Sequence, residues 1–454
     1  MKIIQPIAIF IFSTALASAS SLPAPLQDDD FRPVNLIEAA LGQLLFYDPI
    51  LSGNAEVACA TCHHPAFGTS DGLSLGIGDG GIGLGTHREV TTDNLPEERI
   101  PRNSPALFNL GAYEFTAMFH DGRLEVDPSR ASGMRTDMGQ DMEKGFASIL
   151  SAQAMFPVLS RDEMAGSYNE NDLGRLIRQG IITGTGGAWD ILAKRVANLP
   201  DYATQFIDVY PHIANANQIA FTDISNAIAS FIEVEWRSDT SPFDAVLAGT
   251  GQLSGRAQAG MDLFYGDGNC ASCHTGPFLT DHKFHAMAAP QIGPGKSATF
   301  EVHHRDDGRF RVTGRLEDRY AFRTPSLRNI ALTGPYGHAG AHSDLAAFIA
   351  SHADPATSIF SYDPTQAVLP DLGRADQADI DFSVMHDPEQ VSAIAAAVIT
   401  PPVSLSDADV AALVAFLDTL TDTASLQGRL GIPDKVPSGL DIPNPTLNTE
   451  PNLN

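Results

Sequence analysis

The chain has 454 residues, room for several domains with buried cores. Its 28 basic against 55 acidic residues give a net charge of −27, which argues against nucleic acid or an anionic membrane face as the main partner, since both need a basic footprint. With 43% apolar and 18% charged residues the composition is globular rather than disordered, and four cysteines are too few for a disulfide scaffold.

Lys2 precedes an apolar run from Ile3 to Leu16, and Ala15-Leu16-Ala17-Ser18-Ala19 offers small residues for cleavage after Ala17 or Ala19. Residues 1–19 therefore read as a signal peptide and the mature protein as periplasmic. The run is too short for a bilayer and no second one follows, so no membrane span is expected.

The cysteines fall as Cys59-Ala60-Thr61-Cys62-His63 and Cys270-Ala271-Ser272-Cys273-His274. Both are C-x-x-C-H, the attachment signature of c-type haem: two thiols on one turn take the vinyl groups and the adjacent imidazole reaches the iron. A shared four-thiolate zinc site or a pair of disulfides are the competing readings, but two adjacent histidines and the use of every cysteine favour two covalent haems.

The surroundings of the motifs repeat. Leu45-Phe46-Tyr47 precedes the first and Leu263-Phe264-Tyr265 the second; Arg102-Asn103-Ser104-Pro105-Ala106-Leu107-Phe108-Asn109 is echoed by Arg323-Thr324-Pro325-Ser326-Leu327-Arg328-Asn329. Phe119-His120-Asp121-Gly122 is echoed by Gly337-His338-Ala339-Gly340. The Gly-rich stretch Gly78–Gly83 matches G-x-G-x-x-G, but no strand leads in and no helix follows, so it reads as a mobile loop near the first haem.

Apolar spacings of three and four predict helices over 188–198, 200–209 and 221–235. A last one runs over 407–421, with Ser406 and Asp409 as a capping box. Trp189 and Trp236 fall in these helices as packing residues. Met134, Met138 and Met142 recur every fourth residue, a packing stripe rather than a metal site. Past Pro433 the chain is rich in Pro and Asn and reads as an extended or loose tail. The expected fold is mainly α, two cytochrome c-like haem domains in tandem with long loops and little sheet. Residues 30–245 form the first with its helical linker, 246–432 the second, and 433–454 the tail.

On these motifs, together with Asp121-Gly122-Arg123, Gln153 with Glu163-Met164, and Ser241-Pro242-Phe243-Asp244, the chain resembles the bacterial dihaem cytochrome c peroxidase family, MauG-like branch included. The likeness runs from about Leu41 to Asp422. It implies that the haem on His63 is the peroxide site and the haem on His274 the electron-transfer site. It also implies that Glu163 is the acid/base, that Gln153 orients the peroxide, and that His120 and Arg323 lie among the cofactor-binding residues. Where the family places Met or Tyr as second ligand of the second haem, this chain has His352, in line with Leu345, Phe348 and Ile349 on one helix face.

The family usually has Trp where this chain has His120, and a gating His in the Gly-rich loop where this chain has Asp79; His87, farther on, is the alternative, a displaced gating ligand. It commonly holds calcium, here at Asn103 and the backbone carbonyls of Thr333 and Pro335. Residues 124–152 are longer than the usual link and are expected to cover the haem edge. The resemblance implies a periplasmic peroxidase reducing hydrogen peroxide with electrons from a small donor such as a cytochrome c or cupredoxin, and often a homodimer. A MauG-like oxidase is the alternative. A non-catalytic electron carrier is a third reading, against which Gln153 and Glu163 speak.

Overall fold

Glycine inside a helix costs stability unless its missing side chain is needed. Two helices here need it in the same way. In Leu36–Tyr47, a Cβ on Gly42 would lie 1.8 Å from the Ala227 carbonyl oxygen of Phe221–Glu235. In Gly255–Tyr265, a Cβ on Gly260 would lie 1.9 Å from the Ala412 carbonyl oxygen of Asp407–Asp418. Each pair of helices thus crosses at backbone contact, and the aromatic rings beside the crossings correspond. Phe46 meets Phe231, and Phe264 meets Phe416, both with centroids 5.2 Å apart.

Each crossing is closed by an asparagine in the left-handed region, a conformation that Asn tolerates. Asn109 (φ 62°) donates to Ser238 O and accepts from Ser238 N, while Asn329 (φ 60°) accepts from Asp422 N and donates to Ser425 Oγ. The repeat seen in the sequence is therefore a repeat of architecture.

The computed structural model describes residues 22–92, 94–297 and 301–445; the expected signal peptide at 1–19 lies outside them. The fold is mainly helical, as expected, with small antiparallel sheets. Ala117–Met118, Leu124–Val126 and Met134–Arg135 form one, and Phe284–Ala286 pairs with Ala321–Arg323 in another. Among the described residues no helix is long and apolar enough to cross a membrane.

The helices Ala188–Ala197, Pro200–Val209 and Phe221–Glu235 lie where the spacing put them, and Asp407–Asp418 begins with the Ser406/Asp409 box but ends three residues early. Trp236 falls at the C-terminal cap of its helix rather than within it. One core gathers Leu41, Tyr47, Tyr202, Phe206, Phe231 and Trp236; another gathers Phe243, Phe264, Leu413, Phe416 and Leu420. Burial of each such side chain contributes about 1.5–3 kcal/mol.

The chain leaves the first core after Trp236 and comes back to it after Leu420, and one buried carboxylate ties these two passages together. Asp422 accepts from the backbone N–H groups of Asp239 and Thr240 (both 2.9 Å) on the outward passage, and from Ala424 N (3.0 Å) and Ser425 N (3.3 Å) on the return. Beyond it, the Glu235 carboxylate accepts from Arg429 N, Leu430 N and Gly431 N at 2.9, 2.6 and 2.8 Å.

Of the expected tail, residues 433–445 are described, and they are extended but not loose. Val436 is buried in the first core, Leu440 and Ile442 pack against it, and Ser438 Oγ donates to Asp48 (2.7 Å). Three apolar side chains among prolines and asparagines are enough to strap them down.

Candidate haem sites

Cys59–Cys62 makes one helical turn, closed by His63 N donating to Cys59 O at 3.0 Å. The second motif repeats this, with His274 N donating to Cys270 O at 3.0 Å. His63 Nδ1 lies 3.0 Å from Thr69 O and His274 Nδ1 lies 3.0 Å from Leu279 O. A carbonyl that takes the Nδ1 proton leaves Nε2 as the free lone pair, the usual arrangement of a metal-bound imidazole. Burial lowers both imidazoles, favouring the neutral, ligating form.

None of the four cysteines pairs with another, and burial pushes the Cys59 and Cys62 thiols up to about 12. No disulfide is formed, and among the described residues the four sulfurs do not converge on one zinc site; the one cluster with metal-ligand spacing is Cys273, Asp281 and His285, which shares a haem-attachment cysteine.

His352 stands on Leu345–Ala353, whose N-terminus is capped by Asp344 accepting from Ala347 N at 2.7 Å. Its ring centroid is 6.4 Å from that of His274. Two imidazole–metal bonds of about 2 Å, plus half a ring on either side, span about 6 Å, so the gap matches one iron. Burial, with the neighbouring His274, lowers His352 to about 4.

Arg323 ends the strand Ala321–Arg323, and its Nη1 is buried without a partner. Burial lowers this guanidinium to about 10, and it makes no ion pair among the described residues. A buried cation of this kind suits an anionic group such as a haem propionate.

Gln153 lies on Ile149–Ala154, capped by Ser148, and its Oε1 is buried without a partner. Glu163 lies in a π-helical turn, Arg161–Ala165, in which Met164 N and Ala165 N both donate to Ser160 O (3.0 and 2.9 Å). Single π-turns are frequent at functional sites. Burial raises the Glu163 carboxyl above its ordinary value, while Lys296 and Arg123 pull it back; its charge reaches Cys62 of the first motif.

His120 lies on the seam between the cores, its carbonyl accepting from Arg323 N at 2.7 Å. Burial first, then Arg102, His338 and Arg323, lower it to about 3, so it is a neutral imidazole. Beside it, Phe322 and His338 stack with centroids 3.8 Å apart. Trp189 is a packing residue whose Nε1 donates to Met155 O at 2.9 Å.

The Gly-rich stretch is packed rather than loose, which corrects the expectation of a mobile loop. Arg88 donates to the carbonyls of Ile77, Gly78 (2.5 Å) and Gly83 (2.7 Å). Asp79 accepts from Asn54 Nδ2 at 3.0 Å, and burial raises it to about 6. His87 is exposed.

The methionines pack against the first core, but not as a helical stripe. Met134 is in a strand, and Met138 and Met142 flank a short 3-10 turn. Asn103 Nδ2 donates to Leu73 O (2.8 Å) and Ser74 O (3.3 Å), so a cation there would meet its Oδ1. Thr333 ends the short helix Ile330–Leu332, two residues before Pro335.

Sequence reasoning missed Arg88, Lys296 and Asp306. Asp306 pairs with Arg102 across 204 residues, for which no local signal exists.

Residues 37–252 match the family model of the di-haem cytochrome c peroxidases. The chain is 29% identical to the methylamine utilization protein MauG of Methylorubrum extorquens over 339 residues, 74% of each chain. It is 28% identical to MauG of Paracoccus denitrificans over 421 residues, 88% of this chain and 92% of that one. With the cytochrome c551 peroxidase of Pseudomonas aeruginosa the identity is 27% over 341 residues, covering 72% and 78%. In fold it resembles the diheme peroxidase BthA from Burkholderia thailandensis, with a TM-score of 0.55, 20% identity and coverage of 90% and 92%. Two C-x-x-C-H turns with oriented imidazoles, set in repeated helix crossings, agree with these likenesses: the chain belongs to the dihaem cytochrome c peroxidase family, MauG-like members included, and is an oxidoreductase.

Proposed function

We propose that the protein reduces hydrogen peroxide to water, each turnover taking two electrons and two protons, with the electrons drawn from a small periplasmic donor through the second haem to the first. Haem supplies a redox-active iron whose potential follows its axial ligands. Cys59, Cys62 and His63 hold the first haem, and Cys270, Cys273, His274 and His352 the second, with Arg323 toward a propionate. Glu163 takes the proton of the inner peroxide oxygen and returns it to the outer one, while the Gln153 amide orients the substrate. A calcium ion at Asn103 Oδ1 and the carbonyls of Thr333 and Pro335 is part of this reading.

The observation that carries it is the pair Gln153 and Glu163, one with a buried unpartnered oxygen and the other with a raised carboxyl within electrostatic reach of Cys62. An electron carrier needs neither group. Glu163→Gln is expected to cut peroxide turnover by about 10²–10⁴ with both haems still attached. Turnover near the wild-type rate would remove Glu163 from the mechanism.

One observation favours a MauG-like oxidase as the second reading. His87 is exposed while Arg88 pins its loop, so the Gly-rich segment brings no imidazole to the first site. Spectra of the ferric protein, before and after one equivalent of peroxide, separate the two. One high-spin haem that reacts without prior reduction supports the oxidase; two low-spin haems that need reduction support the conventional peroxidase.

A further inference from the structure

The π-turn that carries Glu163 is gripped from two sides. On one, Gly53 N donates to Met164 O at 2.7 Å, and a Cβ on Gly53 would lie 1.9 Å from Ala165 O. On the other, a Cβ on Gly78 would lie 2.2 Å from Glu163 O, 2.3 Å from Asp162 O and 2.6 Å from Glu163 Cα. Backbone therefore rests on backbone, with no side chain between to yield. The conformation of Gly78 is not left-handed, so what glycine supplies there is space rather than an unusual φ.

Gly78 is in turn held from behind. Arg88 is 5% exposed and forms no ion pair among the described residues; its guanidinium is given to three carbonyls of the Gly-rich stretch, that of Gly78 included. The carboxylates of Asp71, Asp79 and Glu56 offset its charge only from beyond ion-pair distance, so burying it remains costly. A leucine would fill the volume without that cost, so the fork is there for position.

We propose that Gly78 and Arg88 are positioning residues for Glu163: the Gly78 backbone fixes where the acid's turn stands, and Arg88 holds Gly78 in place. This rests on the reading of Glu163 as acid/base at the first haem. Neither residue touches the reacting atoms. They act through the Glu163 main chain, and a displacement of about 1 Å in such a group is enough to cost up to about a hundredfold in rate.

The test is ligand association to the ferric holoprotein by stopped flow, with two probes. Hydrogen cyanide must give up a proton as it binds, so a placed base speeds it; nitric oxide carries no proton and reports only access. Glu163→Gln is expected to slow cyanide about a hundredfold and leave nitric oxide unchanged. Gly78→Ala is expected to slow cyanide about tenfold, again with nitric oxide unchanged and haem content intact. Arg88→Lys, which keeps the charge and loses the fork, moves cyanide in the same direction and decides the matter if Gly78→Ala does not fold.

If Glu163→Gln leaves cyanide binding untouched, the acid/base reading itself fails. If it slows cyanide while the Gly78 and Arg88 variants bind both probes at wild-type rates, the positioning role alone is overturned. Equal slowing of both probes in those variants overturns it too, because the damage is then general.

Discussion

Arg102 and Asp306 form a buried fork across the seam between the two cores, with Nε 2.7 Å and Nη2 2.9 Å from the two carboxylate oxygens, while Arg102 Nη1 reaches Asp121 at 2.7 Å. Burial alone would raise both carboxyls, but Arg102 outweighs it and holds them well below the usual carboxylate range. Removing the arginine strands Asp306 and leaves Asp121 with Arg123 alone, at 3.1 Å. Arg102→Ala is expected to cost about 3–5 kcal/mol in guanidinium unfolding at pH 7, with Arg102→Lys recovering part of it. Because the folded pKa values are depressed, this stability is present above about pH 4 and is lost as pH falls through the folded values. A deficit that did not shrink in acid would contradict the assignment.

Glu233 shows the opposite sign. Burial raises it to about 7, against Ser148 and Arg32, and its Oε1 is buried without a partner. A carboxyl held more tightly protonated in the fold favours the fold below about pH 4.5, and that contribution is lost as pH rises toward 7. Glu233→Gln should leave stability at pH 4 alone and raise it at pH 8 by ~1–3 kcal/mol. Equal effects at both pH values would mean that the carboxyl is not the titrating group.

His352→Ala should convert the second haem from low to high spin, read as the loss of one low-spin electron paramagnetic resonance signal. His352→Met keeps a ligand at that position and should raise the potential, since a thioether favours the ferrous state more than an imidazole does. An unchanged low-spin spectrum in the alanine variant would reject His352 as the ligand.

The net charge of −27 sets an expectation for the electron donor. A donor with a complementary basic patch should lose turnover as ionic strength rises from about 0.01 to 0.5 M, as the Debye length shrinks from about 30 Å to a few ångströms. Turnover independent of salt would point to an apolar docking ring instead.

What could be read from the sequence was whatever its local spacing carries. The C-x-x-C-H turns, the helix carrying His352 and the Ser406 cap all depend on residues within one or two turns of each other. The glycine crossings went unread although Gly42 and Gly260 each stand three residues before Leu-Phe-Tyr, because a glycine within a helix reads as a weakness until its neighbour is known. The methionine spacing misled because Gly133 and Gly139 take positive φ (75° and 56°) and break any helix there. Arg102 with Asp306 and the bracing by Arg88 come from the folded chain alone, where partners far apart in sequence or loop carbonyls without a side-chain signature are brought together.

The carboxylate of Asp422 has a mechanical consequence. A body joined to another by one strand swings about a point, whereas two strands fused side by side leave it only a line to turn on. With its outward and return passages fastened together at Asp422, and with Arg102 and Asp306 latched across the seam, the second core is held at a post and at a latch. A rotation about Asp422 that changed the spacing of the two haem turns would first have to part the Arg102–Asp306 fork.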